Sequence, residues 1–190
     1  MQDGDPDFLD GQLLIAMPGM GDPRFERSVV FMCAHSAEGA MGLIINKPAA
    51  ELQFAELLKQ LKIKVGETHP KICVHFGGPV EHGRGFVLHS AEYEVEDSSL
   101  QVSPEFAMTA TVDILKDMAE GGGPNRALLA LGYAGWGPGQ LEKEIQSNGW
   151  LIAGADPDLV FTDKDCDKWE AALGKIGIDP RLLSTGGGRA

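Results

Sequence analysis

The sequence predicts an α/β fold of the α+β mixed kind: a mixed sheet with antiparallel early strands and flanking helices. Three observations carry this. Short apolar runs rich in β-branched and aromatic residues, each closed by Gly or Pro, read as strands. The early runs follow one another through turns too short for a crossover, which pairs them antiparallel. From Leu52 the apolar period lengthens to that of a helix, and over 127–153 a strand-helix-strand order predicts one parallel crossover.

Taken in order, Gln12–Met17 is an apolar strand stopped by Pro18 and Gly19, and Ser28–Ala34 and Met41–Ile45 are the next two. The residues His35–Gly39 make a hairpin-length connection between those two, and Pro48 ends the third because proline donates nothing to a ladder. Within Leu52–Leu61, Phe54, Leu57, Leu58 and Leu61 recur on one helical face. Ile72–Phe76 and Gly85–His89 are further strands. Ser103-Pro104-Glu105 and Thr109–Met118 predict helical turns, the second carrying Val112, Leu115 and Met118 on one face and ending at Gly121-Gly122-Gly123-Pro124. Arg126–Tyr133 is a buried strand, followed by a glycine-rich loop, a helix over Gly139–Gln146 and a strand over Trp150–Ala153. Trp169–Ile176 forms a terminal helix and Asp179-Pro180 starts a last turn. Without a long linker or repeat, residues 11–183 are expected as one domain between flexible ends at 1–10 and 184–190.

Lys plus Arg number 16 and Asp plus Glu 28, a net charge of −12, with 43% hydrophobic residues. That apolar fraction excludes a disordered acidic tail, and no run approaches the roughly 18 apolar residues of a membrane helix. Asp3, Asp5 and Asp7 stand where a secretory leader carries Lys or Arg. Cys33, Cys73 and Cys166 are scattered and in no Cys-x-x-Cys pair, so no disulfide framework or zinc site is expected and the cytoplasm is the expected compartment.

The stretch Leu131–Glu142 places glycines between a strand and a helix start. It either presents backbone N–H groups to an anion or lets Tyr133 and Trp136 pack close to backbone. It lacks the Lys-Ser/Thr of a P-loop and the spacing of a dinucleotide fingerprint. Gly77-Gly78-Pro79 followed by Arg84 either approaches a ligand or closes a tight turn with Arg84 in an internal ion pair. His35, His75 and His89 each end a predicted strand without metal-ligand spacing and are expected as isolated polar residues. Asp163-x-Asp165-x-Asp167 departs from a calcium loop at Lys168 and Gly174, and is expected as a solvated cap. Cys33 and Cys73 lie in apolar runs and Cys166 between acids, so none is expected to be a nucleophile.

These motifs have a collective resemblance. Gly11–Pro18, Phe25-x-x-Ser28-Val29, Gly39–Pro48, Gly77–Val80, Arg84–His89, Gly132–Trp136 with Gly139-Gln140-Leu141, and Glu142-x-Glu144-Ile145-x-x-Asn148-x-Trp150-Leu151 resemble the bacterial AlgH/YqgE family over residues of about 10 to 170. The resemblance implies an intracellular α/β protein with a mixed sheet and a small second lobe. Members often carry the label of transcriptional regulator, and the resemblance supplies neither catalytic residues nor a cofactor.

The expected function is a cytosolic module that binds a small molecule or a protein, with any regulatory role indirect, and no cofactor is expected. Its pocket is predicted from Asn46, Lys47, Pro48, Gly77, Gly78, Pro79, Arg84, His89, Gly132, Tyr133, Gly135, Trp136 and Gln140. Two alternatives are an enzyme using Lys47, Arg84, His89 or Tyr133, and a regulator binding DNA directly. The second meets an unfavourable field, because duplex binding draws on phosphate neutralisation by Lys and Arg. Lys59, Lys62, Lys64 and Lys71 are diluted by Glu56 and Glu67.

Overall fold

The computed structural model describes residues 8–19, 21–66, 72–110 and 112–183; the tail at 184–190 and residues 1–7 of the predicted flexible ends lie outside them. The strands are β1 (Gln12–Ala16), β2 (Val29–Ser36), β3 (Gly39–Ile44), β4 (Val74–Phe76), β5 (Val80–Ser90), β6 (Ser99–Gln101), β7 (Phe106–Thr109), β8 (Ala127–Trp136) and β9 (Trp150–Gly154). The helices are α1 (Phe54–Gln60), α2 (Val112–Ala119), α3 (Gln140–Gln146), α4 (Pro157–Val160) and α5 (Lys168–Lys175).

All these strands join one 9-stranded sheet in the order β6-β7-β5-β8-β3-β2-β1-β9, with β4 paired to β8 beside that path. The early strands are antiparallel as expected: Leu14 faces Val30 across β1–β2, and Phe31 faces Leu43 across β2–β3. The parallel pairing differs from expectation. The strand-helix-strand unit carries β9 past β3, β2 and β1 to the far edge, where it pairs antiparallel with β1, and the parallel contact is β4 on β8.

Period-2 alternation sorts side chains onto two faces. Leu13, Ile15, Val29, Phe31, Leu43, Phe86, Leu88, Leu128 and Ala130 point to one, where α4 and α5 close the core with Leu159, Trp169 and Leu173. Leu14, Val30, Met32, Ile44, Ala134 and Trp136 point to the other under Leu141 of α3. Further along that face, Val74, Val87 and Leu129 pack under Phe54 and Leu58 of α1 and Ile114, Leu115 and Met118 of α2. A fully buried Leu or Phe stabilises by about 1.5–3 kcal/mol, so these rows fix the register. In β8 the alternation slips by one residue at Gly132, whose φ of +74° forms a bulge; Leu128 and Ala130 then share a face with Tyr133.

Several local expectations are corrected. The predicted turn at Ser103-Pro104-Glu105 bends into β7, which takes Thr109 from the predicted helix and pairs with β5 and β6. Helix α2 begins at Val112, which is exposed, and buries Ile114 and Ala119 along with Leu115 and Met118. The strand predicted to stop at Tyr133 runs on through Ala134–Trp136 to the end of β8, and the glycine-rich loop shrinks to Gly137–Gly139. Helix α4, which the sequence pattern does not predict, is started by Pro157 and by Asp156, whose carboxylate accepts the Leu159 N–H at 2.9 Å. Cys73 precedes β4 and is exposed, whereas the Cys33 thiol is buried and pushed up to about 12 by desolvation.

Candidate functional site

The glycines come first, because they determine what else meets. A Cβ on Gly77 would lie 2.3 Å from the Gly132 carbonyl oxygen, and one on Gly78 would lie 2.0 Å from the Tyr133 carbonyl carbon. Gly77 donates its N–H to Leu131 O and accepts from Ile44 N, both at 2.8 Å, bridging β8 and β3. The Gly-Gly-Pro turn and Gly132 thus converge as a backbone seam. The alternative of an anion cradle at α3 is weakened locally, because Gln140 Oε1 accepts the Gly137 N–H at 3.0 Å.

Opposite the Gly132 bulge, β5 makes a larger excursion. Val80 pairs with Tyr133 and Gly85 with Leu131, so Glu81, His82, Gly83 and Arg84 face Gly132 alone. Glu81 adopts φ +50°, a conformation costing a non-glycine residue about 1–2 kcal/mol. Bulges of this kind re-aim side chains. Here the excursion turns Arg84 outward, 55% exposed, with its guanidinium 5.1 Å from the Phe86 ring centroid and 3.5 Å from Glu81, a marginal ion pair.

Arg84 stands on the rim of an open cavity of about 610 Å³ at one end of the curled sheet. Its walls are Phe86 of β5, Met41 of β3, Met108 of β7, Ala110 beyond it, and Tyr133 of β8. Gly135 and Trp136 complete the margin, with Glu38 as its acidic residue. Among the described residues the Tyr133 hydroxyl has no hydrogen-bond partner, while its ring packs edge-on to Phe86 at 5.8 Å.

The other predicted residues are engaged elsewhere. Asn46 accepts the Val29 N–H at 2.9 Å and donates to Arg27 O at 2.8 Å. Lys47 donates to Glu26 O, and Pro48 forms an isolated bridge with His75. His89 is fully buried; its Nδ1–H donates to Ser90 O at 2.9 Å, leaving Nε2 to accept from the Thr109 hydroxyl at 2.8 Å. Burial holds His89 below the ordinary histidine range, against the raising effects of Ser90 and Glu92. Gln140 also donates to Glu144 Oε1 at 3.1 Å, and the Trp136 indole donates to Glu144 Oε2 at 2.8 Å. Pro79 continues the seam into β5. The structure therefore brings Arg84, Tyr133, Gly135 and Trp136 to one cavity and leaves Asn46, Lys47, Pro48, His89 and Gln140 away from its walls.

Sequence reasoning missed the buried polar contacts. His75 Nε2 lies 2.9 Å from Asp165 Oδ2, and Lys168 Nζ lies 2.8 Å from Asp165 Oδ1 and donates to Ile45 O at 2.7 Å. Asp165 is thus a buried anion, not a solvated cap. Desolvation works against its charge, but His75 and Lys168 outweigh it and hold the carboxyl below its ordinary value. Lys168 is lowered by its own burial, partly offset by Asp165. The signal in the sequence was the Asp165/Lys168 spacing on one face of a helical turn. On the other side of the sheet, His35 Nδ1 accepts the Leu9 N–H at 3.1 Å, so Nε2–H donates to Glu142 at 2.7 Å. The described residues include no group of three His, Cys, Asp or Glu placed to hold a metal ion, and no helix among them is long and apolar enough to cross a membrane.

A curled mixed sheet with helices on both faces, and an open cavity at its rim lined by Arg84 and Tyr133, define a protein of the mixed α/β class. The comparisons with known proteins place the chain within it. The AlgH-like family, DUF179, matches residues 13–181, and the chain belongs to that family. It is 57% identical over 190 residues to a UPF0301 protein of Bradyrhizobium diazoefficiens, covering 96% of this chain and 89% of that one. To a UPF0301 protein of Ruegeria pomeroyi it is 60% identical over 183 residues, covering 96% and 99%. The solution structure of AlgH from Pseudomonas aeruginosa superposes with a TM-score of 0.77 at 40% identity, covering 100% of both chains. A crystal structure from Corynebacterium diphtheriae shares the fold with a TM-score of 0.72 at 22% identity, covering 96% and 92%.

Proposed function

We propose that the protein is a cytoplasmic binding module whose ligand site is the rim cavity at Arg84 and Tyr133. One observation carries this. Of the polar side chains predicted for the pocket, Asn46, Lys47, His89, Trp136 and Gln140 are committed to polar partners inside the chain, whereas Arg84 has one marginal ion pair beside its stacking on Phe86, and the Tyr133 hydroxyl has no hydrogen-bond partner among the described residues. Both line the same concave, largely apolar space, and its volume falls within the few hundred to about 1,000 Å³ usual for small-molecule sites.

What these residues offer is recognition. Arg84 and Tyr133 are donors, and neither is paired with a histidine or cysteine as a base–nucleophile couple among the described residues. Regulatory roles, in this reading, run through occupancy of the site, with the net charge of −12 opposing direct contact with duplex DNA. Native mass spectrometry of gently purified protein is expected to show a bound small molecule. Adding it back to stripped protein should move the amide resonances of residues 84–86 and 133–136. A perturbation confined to other surfaces would overturn the assignment of the cavity.

A further inference from the structure

We infer that the ligand class of the rim cavity is the amphipathic monoanion: one carboxylate or sulfonate head on an apolar body. This rests on the binding role proposed above and adds the chemistry of the occupant.

The head group follows from charge. Arg84 is the basic residue of the lining, and its counter-charge among the described residues is Glu81 at 3.5 Å, beyond good hydrogen-bond length. Its planar fork matches a carboxylate or sulfonate, and the Tyr133 hydroxyl supplies a further donor in the same space. Glu38 also lines the cavity and the chain carries −12, so a doubly charged phosphate would face one cation in a repulsive field. A single negative charge is what Arg84 can balance. The body follows from the walls: Phe86, Met41, Met108, Ala110 and the Tyr133 ring are apolar or aromatic. The two methionines adapt to varied shapes, which favours a flexible chain or a flat ring system over a rigid polar substrate.

A larger cavity of about 650 Å³, between the turn after β1 and the turn after α5, shows what the rim site has that this one lacks. Its lining sets Asp22, Glu26 and Glu170 against Arg27 and Arg181, a net negative charge; Asp22 pairs with Arg24, Arg181 with Asp179, and Arg27 lies 3.3 Å from Glu170 while stacked 4.5 Å over Trp169. Carboxylates outnumber arginines in that lining, whereas in the lining of the rim cavity Arg84 is set against Glu38 alone.

The test uses two fluorescent probes with the same ring system, anionic 1-anilinonaphthalene-8-sulfonate and uncharged N-phenyl-1-naphthylamine, with decanoate and decanol as competitors. The expected result is saturable binding of the anion about tenfold tighter than of the neutral probe. Arg84→Gln should remove that preference while changing neutral-probe affinity less than about twofold, and decanoate should displace the anion where decanol does not. Arg84 is exposed, so this variant is expected to fold. Ala110→Phe, which fills the cavity, should weaken both probes. Equal affinity for the two probes, both lost in Ala110→Phe, would overturn the monoanion assignment while leaving the cavity as a binding site. Binding of both probes that is insensitive to Ala110→Phe and Arg84→Gln would overturn the site itself.

Discussion

The Lys168 ammonium lies 2.8 Å from Asp165 Oδ1 with its side chain fully buried, at the junction of the sheet and α5. The approach is that of an ion pair, off the direction of a hydrogen bond to that oxygen. His75 and the Ile45 carbonyl complete the surroundings, so β3, β4 and the start of α5 are tied at one polar point inside an otherwise apolar layer. Taking one partner away leaves a buried charge without its counter-ion, which costs more than the pair contributes. Lys168→Met is expected to lower unfolding free energy by about 3–5 kcal/mol. Adding Asp165→Leu should recover part of the loss. Urea unfolding at constant m-value measures both, and a Lys168→Met variant as stable as the parent would refute the account.

The pH dependence has a definite sign. Burial lowers His89 relative to the unfolded chain, where histidine titrates near 6.5. The folded state then binds fewer protons than the unfolded state below that pH. The stability associated with neutral His89 is present above about 6.5 and is lost as pH falls toward its folded value. Asp165, also lowered, is stabilising above the unfolded aspartate value near 3.9 and is lost at more acid pH. The urea midpoint should therefore be lower at pH 5.5 than at pH 7.5. In His89→Gln that difference should shrink; an unchanged difference would assign the effect to another group.

On the opposite face, Glu144 Oε2 accepts both indole N–H groups, from Trp136 at 2.8 Å and Trp150 at 2.9 Å, while the rings meet edge-on at 6.0 Å. One carboxylate thereby holds α3 over two strands that are not neighbours in the sheet. Glu144→Ala leaves both indole donors without that acceptor, and is expected to cost about 2–4 kcal/mol and to change the near-UV circular dichroism of the tryptophans. Glu142→Ala, which removes a contact to His35 on a half-exposed carboxylate, should cost less.

Most of the sheet is legible in the sequence because its strands carry apolar runs bounded by Gly or Pro, as in Gln12–Ala16 and Val29–Ser36. The misses have physical causes. Strands β6 and β7 are three and four residues long, too short for periodicity, and Ser103-Pro104-Glu105 imitates a helix start. Ala134–Trp136 reads as a loop because it lies among Gly132, Gly135, Gly137 and Gly139, and glycine is poor in isolated strands. At Gly132 it is required by the approach of Gly78, whose carbonyl oxygen would lie 2.4 Å from a Cβ there, a tertiary fact with no local signature. Of the site, Arg84 and Tyr133 are visible as residues, but their availability is not. That depends on where Asn46, Lys47 and His89 find partners.

The seam itself separates two reasons for glycine. Gly139, at the start of α3, has φ +73° with nothing within 4 Å of the point a Cβ would occupy, so Gly139→Ala costs only the left-handed backbone strain, about 1–2 kcal/mol. At Gly78 the obstacle is contact: a Cβ would sit 2.0 Å from the Tyr133 carbonyl carbon and 2.3 Å from Ala134 N, both backbone atoms of a central strand. Neither can retreat without breaking the β3–β8 and β5–β8 ladders. Gly78→Ala is expected to cost more than about 4 kcal/mol, a range reserved for overpacking and strain in the core, and to reduce soluble yield. Because the same strand carries Tyr133 to the rim cavity, any Gly78→Ala protein that does fold should also lose the preference for the anionic probe. Equal costs for the two alanines would mean that the close approach of β8 to Gly78 does not hold the sheet together.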